Sequence, residues 1–230
     1  MRGKLGFLLA MAVVGCSGLT AVDGGVVGIE VRVPGPDSVE VGESIQLSAK
    51  PLDKNGDSLG TAVTWVSADP TATIDASTGV LTGVSVGTAR VQATVGSLGS
   101  SLITFAVVAP ADTLAISGDS IFTASVASAL PEFVTLLSSF NPAGPVPSHA
   151  VIYAITSPDP LTTSPTLVFI ANSALADTVT TASDGTARAS LALLGGTTPP
   201  DSVVVEVRAQ RIRGAVVPGS GQRFILRLTP

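Results

Sequence analysis

Few residues in this sequence are of types that commonly perform chemistry. The 230-residue chain has a single histidine, His149, and a single cysteine, Cys16. Nucleophilic catalysis by serine needs a histidine base and an acid that orients it, and a zinc site needs several His and Cys residues at ligand spacing. His149 would have to stand beside an acid and a nucleophile for the chain to be a hydrolase. We therefore expect no catalytic residue, no metal site and no cofactor.

One acidic segment has a spacing that could bind calcium. Asp53-Lys54-Asn55-Gly56-Asp57 begins like the Asp-x-Asn-x-Asp of a calcium-binding loop. An EF-hand loop has Gly at its sixth position and Glu at its twelfth, where this chain has Ser58 and Thr64. Asn-Gly is also a strong turn dipeptide between two strands. We favour a turn over a calcium site.

The composition limits the fold class and the kind of partner. Apolar residues make up 45% of the chain, enough for two cores, and the many Val, Thr, Ser and Gly residues favour strands and turns. Charged residues make up 13%, fewer than the about 25% of a typical globular protein. The net charge is −5 and aromatic residues make up 4%. A nucleic-acid partner would need a basic surface with stacking aromatics, so we expect none.

The N-terminus has the pattern of an export signal. Arg2 and Lys4 form a positive segment, and residues 5–14 form an apolar stretch. This stretch is too short for a membrane-spanning helix, which takes about 20 apolar residues. We therefore expect residues 1–15 to be a signal peptide that is cleaved from the mature protein.

The residues at the end of this signal indicate lipidation. Val13-Val14-Gly15-Cys16 resembles the lipobox of bacterial lipoproteins, in which the cysteine receives a lipid and becomes the first residue of the mature chain. The resemblance implies that Cys16 anchors the protein in the membrane, and residues 16–25 then form a flexible tether. Ser17 is not the aspartate of inner-membrane retention, so the resemblance implies the outer membrane of the bacterial cell envelope. An ordinary secretory signal with a chance cysteine is the alternative.

The segment from residue 63 to residue 95 has the pattern of strands with one buried face. In Val63-Thr64-Trp65-Val66-Ser67 the side chains alternate between two faces, and Gly87–Val95 alternates in the same way. Gly79 and Gly83 lie between them at turn positions. An exposed Trp65 could stack on a sugar, but a tryptophan on an alternating strand usually packs between two sheets. We expect Trp65 in the core of a β-sandwich.

Ordered motifs in this region carry a family resemblance. The segment Val39-Glu40-Val41-Gly42-Glu43-Ser44-Ile45-Gln46-Leu47 is followed by Val63-Thr64-Trp65, Gly79-Val80-Leu81-Thr82-Gly83 and Gly87-Thr88-Ala89. This order is similar to the bacterial immunoglobulin-like (Ig-like) domain of group 2. The resemblance covers residues 26–110 and implies an Ig-like β-sandwich.

Residues 111–230 have the pattern of a second β-domain. A turn is expected at residues 141–147 and a proline-rich loop at residues 157–165. Two motifs, Gly144-Pro145-Val146 and a hairpin turn at Thr181-Ala182-Ser183-Asp184-Gly185-Thr186-Ala187, resemble the invasin/intimin-type bacterial Ig-like domain of group 1. The expected strands are residues 114–117, 121–126, 133–139, 150–155, 166–170, 203–208 and 223–228.

Five basic residues gather near the C-terminus, and they are the one candidate ligand site. These residues could bind an anionic ligand such as a polysaccharide or lipopolysaccharide. Outward-facing arginines that only solvate neighbouring strands and protect a sheet edge are the alternative. The residues are Arg208, Arg211, Arg213, Arg223 and Arg227.

The sequence as a whole predicts an all-β chain with two tandem Ig-like β-sandwiches after a cleaved signal segment. The expected function is non-enzymatic: a lipid-anchored envelope protein whose modules serve adhesion, spacing or surface structure. Its expected partners are the membrane, through the lipid on Cys16, and a protein or polysaccharide surface ligand. The alternative is a carbohydrate-binding accessory module of a polysaccharide system, which exposed aromatic side chains would favour.

Overall fold

A computed structural model describes residues 25–158, 167–195 and 198–230. The expected signal peptide, the lipidation residue Cys16 and nearly all of the tether lie outside these residues, as does most of the proline-rich loop. All regular elements of the described residues are β-strands, which confirms the all-β fold. The described part of the chain contains no helix that could cross a membrane.

The strands form two successive β-sandwiches. The N-terminal sandwich has ten strands: β1 (Gly28–Arg32), β2 (Ser38–Glu40), β3 (Ser44–Gln46), β4 (Ser48–Leu52), β5 (Thr64–Ser67), β6 (Ala72–Ile74), β7 (Val80–Gly83), β8 (Gly87–Val95), β9 (Leu98–Gly99) and β10 (Ile103–Val108). The C-terminal sandwich also has ten: β11 (Thr113–Ile116), β12 (Ile121–Ser125), β13 (Glu132–Phe140), β14 (Ala143–Pro145), β15 (Ala150–Ser157), β16 (Leu167–Phe169), β17 (Ala176–Thr180), β18 (Thr186–Leu193), β19 (Ser202–Ala209) and β20 (Gln222–Thr229).

The sheets of the N-terminal sandwich are short. One sheet has the order β2-β10-β8-β5, with β9 paired to β8, and the others are β3-β7-β6 and the pair β1-β4. Most pairs are antiparallel, but β2 runs parallel to β10 and places Glu40 beside Val108. Because β10 leads directly into the link to the second sandwich, Glu40 lies at the end of the first sandwich where the chain leaves it.

The C-terminal sandwich consists of two five-stranded sheets. One has the order β11-β13-β18-β16, with β14 paired to β13, and the other has the order β12-β20-β19-β15-β17. Strand β12 runs parallel to β20, which joins the start of this domain to its end. The loop between β19 and β20, residues 210–221, lies at the end of β19 that faces the first sandwich.

Each sandwich has its own apolar core. In the N-terminal core Trp65 is 5% exposed and packs with Leu47, Leu81 and Phe105, which confirms its expected place between the sheets. In the C-terminal core the rings of Phe133 and Phe224 have centroids 5.0 Å apart. These cores form because alternate residues of each strand point inward, as the sequence pattern predicts.

Two local predictions for the C-terminal sandwich differ from the structure. The turn expected at residues 141–147 forms, but it is limited to Asn141 and Pro142, and a short strand, β14, follows it and pairs with β13. The turn at residues 181–187 forms, with the amide of Gly185 donating to the carbonyl of Ala182 at 2.9 Å. It is not a hairpin, however, because β17 pairs with β15 in one sheet and β18 pairs with β13 and β16 in the other. The turn therefore links the two sheets.

Candidate functional site

A network of charged side chains joins the two sandwiches. We call it the junction and define it by Glu40, Glu43, Asp112, Arg211 and Arg213. Glu40 ends β2, and Glu43 lies in the turn after it. Asp112 immediately precedes β11, and both arginines lie in the loop after β19.

Arg211 bridges the first sandwich and the link between the sandwiches. Its Nη1 lies 3.3 Å from Oε2 of Glu40, and its Nη2 pairs with Oδ1 of Asp112. The amide of Ile212 donates a hydrogen bond to Glu40 at 3.4 Å. Asp112 in turn accepts a hydrogen bond of 2.8 Å from the amide of Phe140 through Oδ2. Planar guanidinium groups suit such two-sided contacts because their donors are fixed in direction.

Arg213 adds a second bridge. Its Nε lies 2.8 Å from Oε1 of Glu43. Its terminal nitrogens donate to the carbonyl oxygens of Pro34 and Ser38 at 2.9 and 3.0 Å. Two neighbouring loop arginines therefore hold residues 34–43 of the first sandwich at four points.

Glu40 is the buried member of the network. Its residue surface is only 3% exposed. Burial raises the pKa of Glu40, while the hydrogen bond from Ile212 and the charge of Arg211 act in the opposite direction. The side chain also receives repulsion from Glu43 and a weak opposing contribution from His149. Because the pKa of Glu40 is raised overall, the cost of desolvating its carboxylate outweighs the attraction of Arg211.

Two clefts flank the junction. One, of about 540 Å³, is lined by the charged residues together with Pro110, Phe140 and Asn141. The other, of about 630 Å³, is mainly apolar and lies between Val86 and Val108 of the first sandwich and the β14 region of the second. The junction is therefore a bridged contact with open clefts at its sides.

The structure separates the five arginines expected to form one site. Arg211 and Arg213 belong to the junction. Arg208 and Arg223 flank Glu206 on strands β19 and β20, with Arg208 Nε 2.6 Å and Arg223 Nε 3.3 Å from its carboxylate. Arg227 lies further along β20, and none of the described acidic residues forms an ion pair with it. The sequence placed the arginines near one another but could not assign them to two surfaces.

The geometry around His149 does not assemble a catalytic triad among the described residues. Its Nε2 lies 2.7 Å from the carbonyl oxygen of Gln210, so that ring nitrogen donates to the backbone. The spacing Gly-x-Ser-x-Gly, typical of one class of serine hydrolase, does occur at Gly56-Asp57-Ser58-Leu59-Gly60. Ser58 pairs with Leu52 in an isolated bridge of the first sandwich, whereas His149 belongs to the second.

The acidic segment at residues 53–57 is a turn. Oδ1 of Asp53 accepts hydrogen bonds of 2.8 Å from the amides of Asn55 and Asp57. Gly56 has a φ of +85°, which suits glycine. The turn interpretation is confirmed. No group of three or more His, Cys, Asp or Glu residues in the described ranges is arranged to hold a metal ion.

Trp65, which was considered for sugar binding, is buried, and so is Tyr153, the one tyrosine of the chain. Trp65 packs in the N-terminal core, and Tyr153 is fully buried in the C-terminal core. The hydroxyl of Tyr153 donates to the carbonyl of Ala187 at 2.7 Å and accepts from Thr135 at 2.7 Å. Neither ring can stack on a ligand without opening its core.

Solved structures with a similar fold include modular bacterial proteins. The adhesin InvE of Yersinia pseudotuberculosis is 14% identical, with 85% of this chain and 57% of that chain covered and a TM-score of 0.43. The fibronectin(III)-like modules of Clostridium thermocellum CbhA are also 14% identical, with 87% and 94% covered and a TM-score of 0.41. The D00-D0 domain of Intimin is 13% identical, with 86% and 96% covered and a TM-score of 0.30. This chain thus spans little more than half of the adhesin structure.

No curated protein matches the chain. A family model does match the first sandwich, and the match spans β2 to β9 completely, including Glu40 and Glu43 of the junction. The resemblance drawn from the motifs around Trp65 is thereby confirmed. Residues 30–104 match the family of bacterial Ig-like domains (group 2).

Proposed function

We propose that this protein is a non-enzymatic, lipid-anchored protein of the bacterial cell envelope whose two Ig-like sandwiches act as a spacer of fixed geometry. The spacer serves adhesion or surface structure and carries out no reaction. The lipid is attached to Cys16, and the outer membrane is its proposed location. The observation that carries the proposal is the junction, in which Arg211 and Arg213 fix one sandwich against the other.

The junction supports a mechanical role because its contacts have no other evident use. The Nη groups of Arg211 are taken up by Glu40 and Asp112, and Arg213 is taken up by Glu43 and two carbonyl groups. The side chains of Arg211 and Arg213 are also only 36% and 25% exposed, so little of either guanidinium group is left for a ligand. They do restrict the angle between the sandwiches, since interfaces between domains in one chain are otherwise mobile by default.

The leader pattern supports the envelope location. A positive segment, a short apolar stretch and Val13-Val14-Gly15-Cys16 occur in the order expected of a lipoprotein signal. A lone cysteine in an exported protein is otherwise unusual, because it can pair only with another molecule. A lipid with two or more acyl chains on Cys16 would give stable anchoring.

The anchor is tested by metabolic labelling with palmitate in bacteria that produce the protein. We expect label on the wild type and on a Ser17→Ala control, and no label on Cys16→Ala. Intact cells are then treated with protease, and we expect the wild-type protein to be cut. An unlabelled wild-type protein that accumulates in the medium would contradict the anchor and favour a secreted binding module.

The alternative of a carbohydrate-binding module through aromatic stacking gains no support from the two candidate rings. Trp65 and Tyr153 are buried, so a stacking site would have to use another ring, and among the described aromatic residues Phe140 is exposed, at 71%. One exposed ring offers no row of stacking surfaces for a sugar chain, so we retain the spacer as the proposed function.

A further inference from the structure

The sheet β12-β20-β19-β15-β17 of the C-terminal sandwich has charged side chains on the side that points away from the core. We call this side the outer face and define it by the outward side chains of the five strands. Val203, Val205 and Val207 of β19 point into the core, so Glu206 and Arg208 point outward. On β20, Phe224 and Leu226 point inward, so Arg223 and Arg227 point outward.

The outer face carries a net positive charge, whereas the whole chain carries a net negative charge. The charged residues of its five strands are three arginines, Glu206 and Asp177. Asp177 points inward and is 9% exposed, so three positive charges and one negative charge remain on the face, a net of +2. The whole chain carries −5. The positive charge is therefore concentrated locally, which attracts anions to this face.

The geometry leaves the arginines accessible although two of them are ion-paired. The Glu206 side chain is 8% exposed, whereas those of Arg208 and Arg223 are 67% and 63% exposed. The carboxylate thus lies beneath the guanidinium groups and holds them in place. The pKa of Glu206 is lowered, first by its hydrogen bond with Arg208, so it stays ionised at neutral pH.

A groove lies beside this cluster. It has a volume of about 330 Å³ and is lined by Glu206, Arg208, Gln210 and Val216 among others. Val216 is 66% exposed and supplies an apolar wall. Arg227 lies four residues from Arg223 along β20, which is a separation of about 13 Å between their backbone positions. The cations are therefore spread over a distance that a polymer can follow.

We propose that the outer face binds an acidic polysaccharide through Arg208, Arg223 and Arg227. Guanidinium groups bind carboxylate and sulfate or phosphate oxygens through paired hydrogen bonds. The aromatic side chains of these strands, Phe122, Tyr153 and Phe224, pack with the core, so the face offers no rings for stacking nucleic-acid bases. The choice of a glycan polymer rests on the proposed envelope location, whereas the anion-binding chemistry rests on the face itself.

The test measures binding of the purified full-length protein to dextran sulfate, with neutral dextran as the control polymer. We expect binding to dextran sulfate only, weakening as salt is raised because exposed charges are screened. The double variant Arg223→Gln/Arg227→Gln is expected to bind about tenfold more weakly. Arg227→Glu, which leaves both ion pairs of Glu206 intact, is expected to weaken binding as well.

Arg188→Gln is the matched control. Arg188 is 53% exposed and paired with Glu132, but it lies on the opposite sheet of the same sandwich. We expect this variant to bind like the wild type. Three results would overturn the proposal. Arg188→Gln could weaken binding as much as the outer-face variants do, both outer-face variants could bind like the wild type, or the wild type could fail to bind dextran sulfate at low salt. The proposal would also be overturned by equally tight binding of the Cys16→Ala protein, which carries no lipid, to anionic lipid vesicles, or of either protein to single-stranded DNA, because the site would then not select a polysaccharide. None of these results depends on the lipid at Cys16, so they are separable from the test of the anchor.

Discussion

Arg211 of the second sandwich pairs with the buried Glu40 of the first, with 3.3 Å between Nη1 and Oε2. The two residues are 171 positions apart in the chain. Their contact, together with that of Arg211 and Asp112, turns a short link between two independent folds into a restrained joint. The consequences can be tested separately for stability, pH dependence and geometry.

Removal of the Arg211 side chain should destabilise the protein. In Arg211→Ala the carboxylate of Glu40 keeps its burial but loses its cation, and a buried charge without its partner is costly. We expect the free energy of unfolding in urea to fall by about 2 kcal/mol. Arg32→Ala is the control, because Arg32 pairs with Glu30 on the exposed surface, and we expect a change below about 0.5 kcal/mol. Equal effects of the two variants would count against the junction.

Replacing Glu40 with a neutral residue should make the protein more stable relative to the wild type as pH rises. Burial raises the pKa of Glu40 above its ordinary value of 4.5, so the folded protein holds this proton more tightly than the unfolded chain. Its contribution to stability is present below pH 4.5 and is lost as pH rises through the folded pKa. Glu40→Gln mimics the protonated form and avoids this loss.

The measurement is the difference in unfolding free energy between Glu40→Gln and the wild type, from about pH 4 to 8. We expect the variant to gain relative to the wild type as pH increases. Other carboxylates with lowered pKa values, such as Asp69 and Asp75, contribute equally to both proteins and cancel. A difference that is constant or decreases with pH would show that Glu40 does not titrate as described.

Gly79 should tolerate no side chain because of Trp65. Gly79 has a φ of +76°, and a Cβ atom there would lie 2.6 Å from Nε1 of Trp65. Gly56 has a similar φ of +85° but no atom within 4 Å of such a Cβ. Gly56→Ala therefore measures backbone strain alone, about 1 kcal/mol, and Gly79→Ala adds about 1–3 kcal/mol of overpacking. Similar melting temperatures for the two variants would contradict this packing.

Tyr153 should produce an alkaline loss of stability. Burial raises the pKa of Tyr153 to about 12, above its ordinary value of 10.0. The folded protein therefore favours the neutral phenol, and this contribution is present below pH 10 and is lost as pH rises towards 12. Tyr153→Phe should lack this loss, although it costs about 2 kcal/mol at neutral pH because Ala187 and Thr135 lose a partner. Parallel alkaline unfolding curves for the two proteins would refute the assignment.

Local patterns in the sequence predicted much of the fold. The alternation around Trp65 places that residue in the core, and the last two expected strands correspond to β19 and β20 with one residue more at each end. Alternation succeeds here because each strand has one buried face. The hairpin expected at residues 181–187 does not form, because the same turn residues occur whether the two flanking strands pair or belong to different sheets.

The junction could not be predicted in the same way. Glu40 alternates with Val39 and Val41, which indicates an exposed position, but Glu40 is buried and is contacted by Arg211 and Ile212 of the second sandwich. Arg211 and Arg213 follow a strand and have the pattern of surface residues. Their contacts depend on how the two sandwiches meet, and no periodicity within one strand carries that information.

The most direct test of the spacer is the distribution of distances across the junction. Spin labels are placed on the exposed strand residues Thr73 and Thr178 in a Cys16→Ala background, and pulsed electron paramagnetic resonance measures their separation. We predict one narrow distribution for the intact junction and a broad one for the Arg211→Ala/Arg213→Ala variant. A broad distribution in the intact protein, or a narrow one that the variant leaves unchanged, would contradict a spacer held in fixed geometry by these two arginines.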